Sequence, residues 1–231
     1  MEYKEFIDKA IKAFWDIRIS QKRTNRTERD NRGAVLGGRQ MDGFAEMMKQ
    51  IALSLGIPST CVFTKGNIVP GYYRASKNWD FLVVAPNGKL IALVEFKSQI
   101  GSYGNNFNNR SEEAIGTAVD FWTAFRENQF PGQQAPWVGY LMLVGRDEDS
   151  IRPVHNPACH FPLLPEFDNA SYMERYRILC RKLILERNYT SVALSWTSRD
   201  ASYGDVSEDL SIGRFLRSFE GYLKGALHEF Q

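Results

Sequence analysis

The sequence predicts an α/β fold, a central mixed β-sheet flanked by helices, on three observations. Segments with helical apolar spacing alternate with short apolar runs along the chain. Two of those runs meet at Asn87-Gly88, a hairpin signal that makes at least that pair antiparallel. Both faces of the hairpin are apolar: Leu82, Val84, Ile91 and Leu93 on one, Phe81, Val83, Ala92 and Val94 on the other. A sheet covered on two sides reads this way.

The elements follow in order. Residues 3–18 carry Phe6, Ile7, Ala10, Ile11, Phe14 and Trp15 at helical spacing. Residues 20–40 are polar, basic and glycine-containing, the pattern of a long loop or arm. Residues 41–55 put Phe44, Ala45, Met48, Ile51, Ala52 and Leu55 on one side of a second helix, stopped by Gly56 and Pro58. A short strand at 60–64 precedes the hairpin at 79–97. Residues 98–110 read as a polar loop. Ser111 then caps a helix from Glu112 to Glu127, whose early acids suit the positive end of the helix dipole. Residues 137–144 are a buried strand, 150–170 are proline-rich and irregular, 171–187 a helix, 190–196 a strand and 208–229 a last helix. One domain over 1–231 accommodates all of them.

Composition sets the outer bounds. Hydrophobic content of 43% supports a real core. Net charge is +2, from 29 basic and 27 acidic residues, so total charge does not point to nucleic acid. Its distribution does. Arg18, Lys22, Arg23, Arg26, Arg29, Arg32 and Arg39 face only Glu28 and Asp30 over the same stretch. Cys61, Cys159 and Cys180 lack motif spacing, as expected in a reducing cytosol. The start has no signal-peptide layout and no run reaches membrane length, so a cytoplasmic protein is expected.

The chemistry concentrates in Asp80, Glu95 and Lys97. If the turn is centred on Asn87-Gly88, residue 86 pairs with 89, and counting outward sets Asp80 directly opposite Glu95. Opposed residues hold their Cβ atoms roughly 4.5–5.5 Å apart on one face. Two carboxylates so placed beside an apolar core repel, and a divalent cation between them removes the conflict. A hard cation such as Mg²⁺ takes carboxylate oxygens. Lys97, two residues past Glu95, projects from the same face, and Phe96 from the other. Two carboxylates, a metal and an ammonium suit phosphodiester hydrolysis, with the Val94 or Phe96 carbonyl as a further ligand. The ordinary alternative is a set of solvated polar positions, and the two-sided apolar pattern weighs against it. A β-bulge in the hairpin would break the register.

Other residues bear on the same reading. Glu46, on the polar side of the second helix, is a candidate extra carboxylate for the metal. Lys22, Arg23, Arg26 and Arg39 are candidate DNA contacts, with a solvated arm as the alternative. Gln99, Asn105, Asn106, Asn108 and Arg110 lie in the polar stretch after Lys97, and Asn and Arg are base-reading types. A turn-rich surface loop explains them equally well. Ser198 and Arg199 follow a strand, in a second recognition loop or a simple turn. His155, Cys159 and His160 cluster, but a zinc site would need Cys61 or Cys180 to complete it. A structural loop is the default there.

The motif Asp80 … Glu95-Phe96-Lys97 resembles the PD-(D/E)XK nuclease signature, with Asn78-Trp79 where that signature often has proline. The wider string from Val94 to Gly116 closely resembles the XhoI-type family of type II restriction endonucleases, and Gly37-Gly38-Arg39-Gln40-Met41-Asp42-Gly43 is similar too. That resemblance implies a restriction-endonuclease-like core and a Mg²⁺-dependent endonuclease acting on double-stranded DNA. It implies the palindrome CTCGAG, cut after the first C to leave 5′ overhangs. It implies a homodimer, one subunit per strand, and a cognate DNA methyltransferase in the same system. Asp80 and Glu95 carry over as metal ligands and Lys97 as the catalytic lysine. A structure-specific or recombination nuclease on the same core, or a non-catalytic DNA-binding module, are the competing readings.

Overall fold

The computed structural model describes residues 3–24, 38–157 and 160–231. Helix α1 spans Lys4–Thr24. A 3₁₀ turn at Gly38–Met41 leads into α2, Asp42–Ser54. Strands β1 (Val62–Phe63), β2 (Ile68–Pro70), β3 (Ser76–Asn78), β4 (Phe81–Val84) and β5 (Leu90–Gln99) follow. Helix α3 covers Tyr103–Arg126, β6 Trp137–Gly145, the short α4 Glu148–Ile151 and α5 Tyr172–Leu185. The chain closes with β7 (Ser191–Thr197), β8 (Tyr203–Asp205) and α6 (Ile212–Gly225).

Six strands make one sheet in the order β1-β4-β5-β6-β7-β8. The β5–β6 and β6–β7 pairs are parallel and the others antiparallel, so the sheet is mixed as expected. All nine residues of β6 are buried, because helices cover both faces. Phe14, Phe44, Ile51, Phe215 and Phe219 from α1, α2 and α6 pack on Phe81, Val94 and Leu141. Phe121, Tyr176 and Leu183 from α3 and α5 pack on Leu82, Leu93 and Met142 on the opposite face. The β2–β3 pair stands apart as a separate antiparallel hairpin.

The β4–β5 hairpin departs from the expected turn and still reaches the expected register. Ala85 N–H donates to Lys89 O at 2.9 Å, so three residues, Pro86, Asn87 and Gly88, form the loop. Gly88 takes φ +84°, a conformation glycine adopts without steric cost. Val84 consequently pairs with Leu90, one residue off. A bulge at Ile91 then restores the count, and Val83, Leu82 and Phe81 face Ala92, Leu93 and Val94. Ile91 therefore packs in the same core as Ala92, and not on the Leu82 face as its spacing suggested.

Several boundaries move. Helix α3 begins at Tyr103, so 103–110 is helix and not loop. Gly101 (φ +79°) and Ser102 (φ 51°) turn the chain out of β5. Tyr103 is buried, and its hydroxyl reaches Gly145 O and Asp147 Oδ2 at 3.0 and 2.9 Å. That tertiary anchor outweighs the poor helix propensity of Gly104 and the asparagines. Ser111 is no cap: its Oγ donates back to Phe107 O at 2.9 Å. Glu112 and Glu113 lie in mid-helix, where the dipole does not explain them. Helix α1 runs to Thr24, past the end of its apolar stripe, so the first residues of the expected 20–40 arm are helical. The terminal helix is split: 3₁₀ turns at Glu208–Leu210 and Leu227–Phe230 flank α6. No helix among the described residues is long and apolar enough to cross a membrane.

Candidate active site

Asp80 leads into β4 and Glu95 sits at the middle of β5. Asp80 N–H donates to Val94 O at 3.2 Å, and Phe96 N–H donates to Asp80 Oδ2 at 2.7 Å. Val94 already pairs with Phe81, so the ladder ends irregularly at Asp80, whose carboxyl is held at Phe96 N–H and feels the charge of Glu95. Val94 O, one of the two carbonyls considered as a further ligand, accepts the backbone bond from Asp80. Glu95 is only 3% exposed. Lys97 Nζ lies 2.5 Å from Glu95 Oε1. The expected trio is assembled.

A fourth group was not foreseen. Lys77 Nζ, on β3, lies 2.7 Å from Glu95 Oε2. The contact is an ion pair without hydrogen-bond alignment, and Oε2 has no hydrogen-bond partner. Lys77 belongs to a strand of three residues, too short to show a period in sequence.

The electrostatics follow from burial and from the paired charges. Burial first, and the Glu95 charge second, push the Asp80 carboxyl up to about 6. The Phe96 N–H and the two lysines pull the other way without prevailing. For Lys97, burial lowers the pKa, but the Glu95 charge and hydrogen bond and the Asp80 charge outweigh it, and the net shift is upward. Lys97 is an ammonium in this arrangement. A buried carboxylate oxygen met only by an ion pair, near enough to a second carboxyl for its charge to act there, is a donor set that fits a hard divalent cation.

A cleft of about 690 Å³ opens beside Asp80. Asp80, Trp79, Phe96, Glu46, Arg39, Lys65 and Asn67 line it. Glu46 and Arg39 thus share the cleft with Asp80. Glu46 Oε1 accepts from Gln50 Nε2 at 2.6 Å, and Arg39 Nε lies 3.6 Å from Asp42 Oδ2. Among the described residues no three His, Cys, Asp or Glu side chains converge at metal-binding distance, so Glu46 lines the cleft without closing on the Asp80–Glu95 pair. Lys65 and Asn67 gave no signal in sequence, since single polar residues in a loop carry none.

The other candidates scatter. Gln99 is buried at the end of β5, donating to Gly101 O at 2.6 Å and accepting from Arg110 Nε at 3.4 Å. Arg110 also pairs with Glu113 at 2.7 Å. Asn105 and Asn108 are exposed on the first turns of α3, and Asn106 Nδ2 donates to Ser102 O. These residues follow Lys97 directly, and the Glu113 charge reaches Lys97. Ser198 and Arg199 form the β7–β8 turn, where Ser198 N–H donates to Ser202 O. Lys22 and Arg23 lie on the last turn of α1, and Arg26, Arg29 and Arg32 lie outside the described residues. His155 and His160 are exposed, Cys159 lies outside the described residues, and Cys61 and Cys180 are buried and free.

The β2–β3 hairpin that carries Lys77 is tied down at its turn. Asp120 of α3 accepts from Tyr72 N–H, Tyr73 N–H and Arg74 Nε at 2.9, 2.7 and 2.7 Å. Gly71 sits against this clamp, where a Cβ would come within 2.5 Å of Asp120 Oδ2. Trp79 N–H donates to Asn67 O at 2.9 Å and closes the open end.

Comparison with known proteins identifies the family. Residues 20–208 match the family described as restriction endonuclease XhoI. The type II restriction enzyme BstVI of Geobacillus stearothermophilus is 48% identical over 198 residues, 81% of this chain and 88% of that one. The type II restriction enzyme XhoI of Xanthomonas vasicola is 47% identical over 191 residues, 80% of this chain and 77% of that one. The type II restriction enzyme AbrI of Azospirillum brasilense is 38% identical over 166 residues, 69% and 74% respectively. No solved structure matches. On its fold, its paired carboxylates and these similarities, the chain belongs to the XhoI restriction endonuclease family, the type II site-specific deoxyribonucleases.

Proposed function

We propose that the chain cleaves double-stranded DNA at the palindrome CTCGAG in a Mg²⁺-dependent reaction, cutting after the first C to leave 5′ overhangs. The observation that carries the chemistry is the convergence of Asp80, Glu95 and Lys97 on one face of the sheet, with Glu95 Oε2 buried and free of hydrogen bonds. The target rests on the family resemblance. Asp80 and Glu95 hold the cation, and Glu46, which shares the cleft with Asp80, acts on it through water. Bound there, Mg²⁺ supplies Lewis-acid stabilisation of phosphate charge and lowers the pKa of a coordinated water. Lys97 orients the attacking water and stabilises the charge that develops on the phosphate. In-line attack releases a 3′-hydroxyl and a 5′-phosphate. Arg39 and the basic residues before it, with the exposed asparagines of α3, are the proposed DNA contacts. A two-fold dimer matches a two-fold site, and a cognate methyltransferase protects the host's own copies.

Digestion of a long duplex of known sequence, with Mg²⁺ or EDTA, followed by end mapping, tests this. Discrete Mg²⁺-dependent ends at CTCGAG are expected. Discrete ends at another palindrome would discard the target and keep the chemistry. Cleavage confined to junctions or free ends would favour a structure-specific nuclease. Specific DNA retention by well-folded protein, with no metal-dependent cutting, would favour a binding module.

A further inference from the structure

We propose that Lys77 is a second lysine of the active site, holding Glu95 in the metal-free protein and passing to a DNA phosphate when Glu95 turns to a divalent cation. The inference rests on the function proposed above and assigns that site a further substrate contact. Lys77 is only 14% exposed, and its ammonium meets Glu95 Oε2 at 2.7 Å while Lys97 meets Oε1. One carboxylate thus carries two ammonium partners. Two lysines and two carboxylates, Asp80 and Glu95, make the four charges sum to zero before metal or DNA arrives.

The contact is built to be exchanged. Glu95 Oε2 is buried, yet Lys77 offers it charge without an aligned hydrogen bond. A divalent ion competes for that oxygen with twice the charge. The Lys77 ammonium lies 5.2 Å from the Trp79 ring centroid and 3.3 Å from Asn78 O, contacts that stay near it when it leaves Glu95. The three residues that follow it, Asn78, Trp79 and Asp80, line the cleft. Its backbone is fixed by the Val69–Lys77 register and by the Asp120 clamp, so the movement is confined to a flexible side chain. A compact cation released beside a carboxylate-bound metal finds its partner in a phosphate oxygen.

The test compares wild type, Lys77→Met and Lys77→Arg. Ca²⁺ affinity is measured by calorimetry without DNA. Binding of a short duplex carrying the mapped site is measured against salt, in Ca²⁺ and in EDTA, with a gel check for cleavage. Lys77→Met is expected to bind Ca²⁺ severalfold more tightly, since a competing cation is gone. Its salt slope for DNA in Ca²⁺ is expected to fall by about one, with no change in EDTA, and Lys77→Arg to restore it. An unchanged slope in Ca²⁺ overturns the inference, and so does an equal loss in EDTA, which would put Lys77 on DNA whatever Glu95 does. Looser Ca²⁺ binding with a lower melting temperature overturns it in favour of a structural role. Asp80→Asn separates the two levels. If it abolishes Ca²⁺ binding while Lys77→Met behaves as wild type, only the inference fails. If wild type neither binds a divalent cation nor cuts DNA with Mg²⁺, both fail.

Discussion

Asp80 and Phe96 are joined by a rung of the β-ladder in which a side chain replaces the backbone: Phe96 N–H donates to Asp80 Oδ2 at 2.7 Å. The rung fixes where the carboxylate points. It holds one Asp80 oxygen against the sheet beside Glu95, whose charge adds to burial in raising the Asp80 carboxyl to about 6. Burial first and the Glu95 charge second make ionisation of Asp80 unfavourable in the metal-free protein.

Removing either end of the machinery is expected to stop the reaction while leaving a folded protein. Asp80→Asn keeps an acceptor for Phe96 N–H, and Lys97→Met keeps the apolar stem. Each is expected to lower single-turnover cleavage by at least about 100-fold. Circular dichroism checks the fold. Cleavage within tenfold of wild type by either variant would remove that residue from the mechanism.

The burial of Asp80, with the Glu95 charge as the second cause, has a signature in stability. The folded Asp80 carboxyl titrates near 6, above its ordinary value of 3.8, so the folded state favours the proton. A raised pKa contributes stability that is fully present below pH 3.8 and is lost as pH rises through about 6. Asp80→Asn carries no charge and escapes the loss. In EDTA it is expected to be more stable than wild type at pH 8, by order 1–3 kcal/mol, with the gap closing at pH 4. Urea unfolding at the two pH values measures this. A gap that does not depend on pH would contradict the assigned shift.

The clamp at the hairpin turn is expected to be sensitive to one methyl group. Gly71→Ala places a Cβ 2.5 Å from Asp120 Oδ2 and 2.7 Å from Arg74 O, the second a backbone atom with little room to give. Asp120→Asn weakens the same contacts by removing charge. Each is expected to cost about 1–3 kcal/mol. Both should speed hydrogen exchange at the amides of Tyr72 and Tyr73, which Asp120 protects. Unchanged exchange in both variants would mean that the clamp does not hold the hairpin.

Glu46 is separable from the central pair, since it lines the cleft but does not close on Asp80. Glu46→Gln is expected to weaken Mg²⁺ binding by about tenfold while cleavage at saturating metal falls less. Titration of activity against Mg²⁺ reads the difference. An unshifted midpoint would leave Glu46 as a solvated helical residue.

The core sets a separate test. Phe219 is fully buried, with its ring centroid 5.9 Å from that of Phe81 and 5.2 Å from that of Trp137. Phe219→Ala is expected to cost about 3–5 kcal/mol, from lost burial and the cavity left behind. Thermal or urea unfolding checks it, and a cost below 1 kcal/mol would mean that the site collapses around the truncation.

The sequence by itself determined the layers, the mixed sheet and the Asp80–Glu95–Lys97 face. Apolar periodicity is a local property, and alternation along a strand fixes which side chains share a face. The proximity of Asp80 and Glu95 was legible even though the turn was not, and direct pairing stops one residue short of them, at Phe81 and Val94. The three-residue loop shortened the count by one and the bulge at Ile91 restored it. Only the tertiary structure decided that bulge, because nothing local distinguishes a bulged isoleucine from a paired one. Only it decided that α3 starts at Tyr103, since the anchor on Gly145 and Asp147 lies more than forty residues away. Lys77 belongs with these. Its meeting with Glu95 depends on a hairpin docked through Asp120, and contacts made across such distances leave no period in the chain.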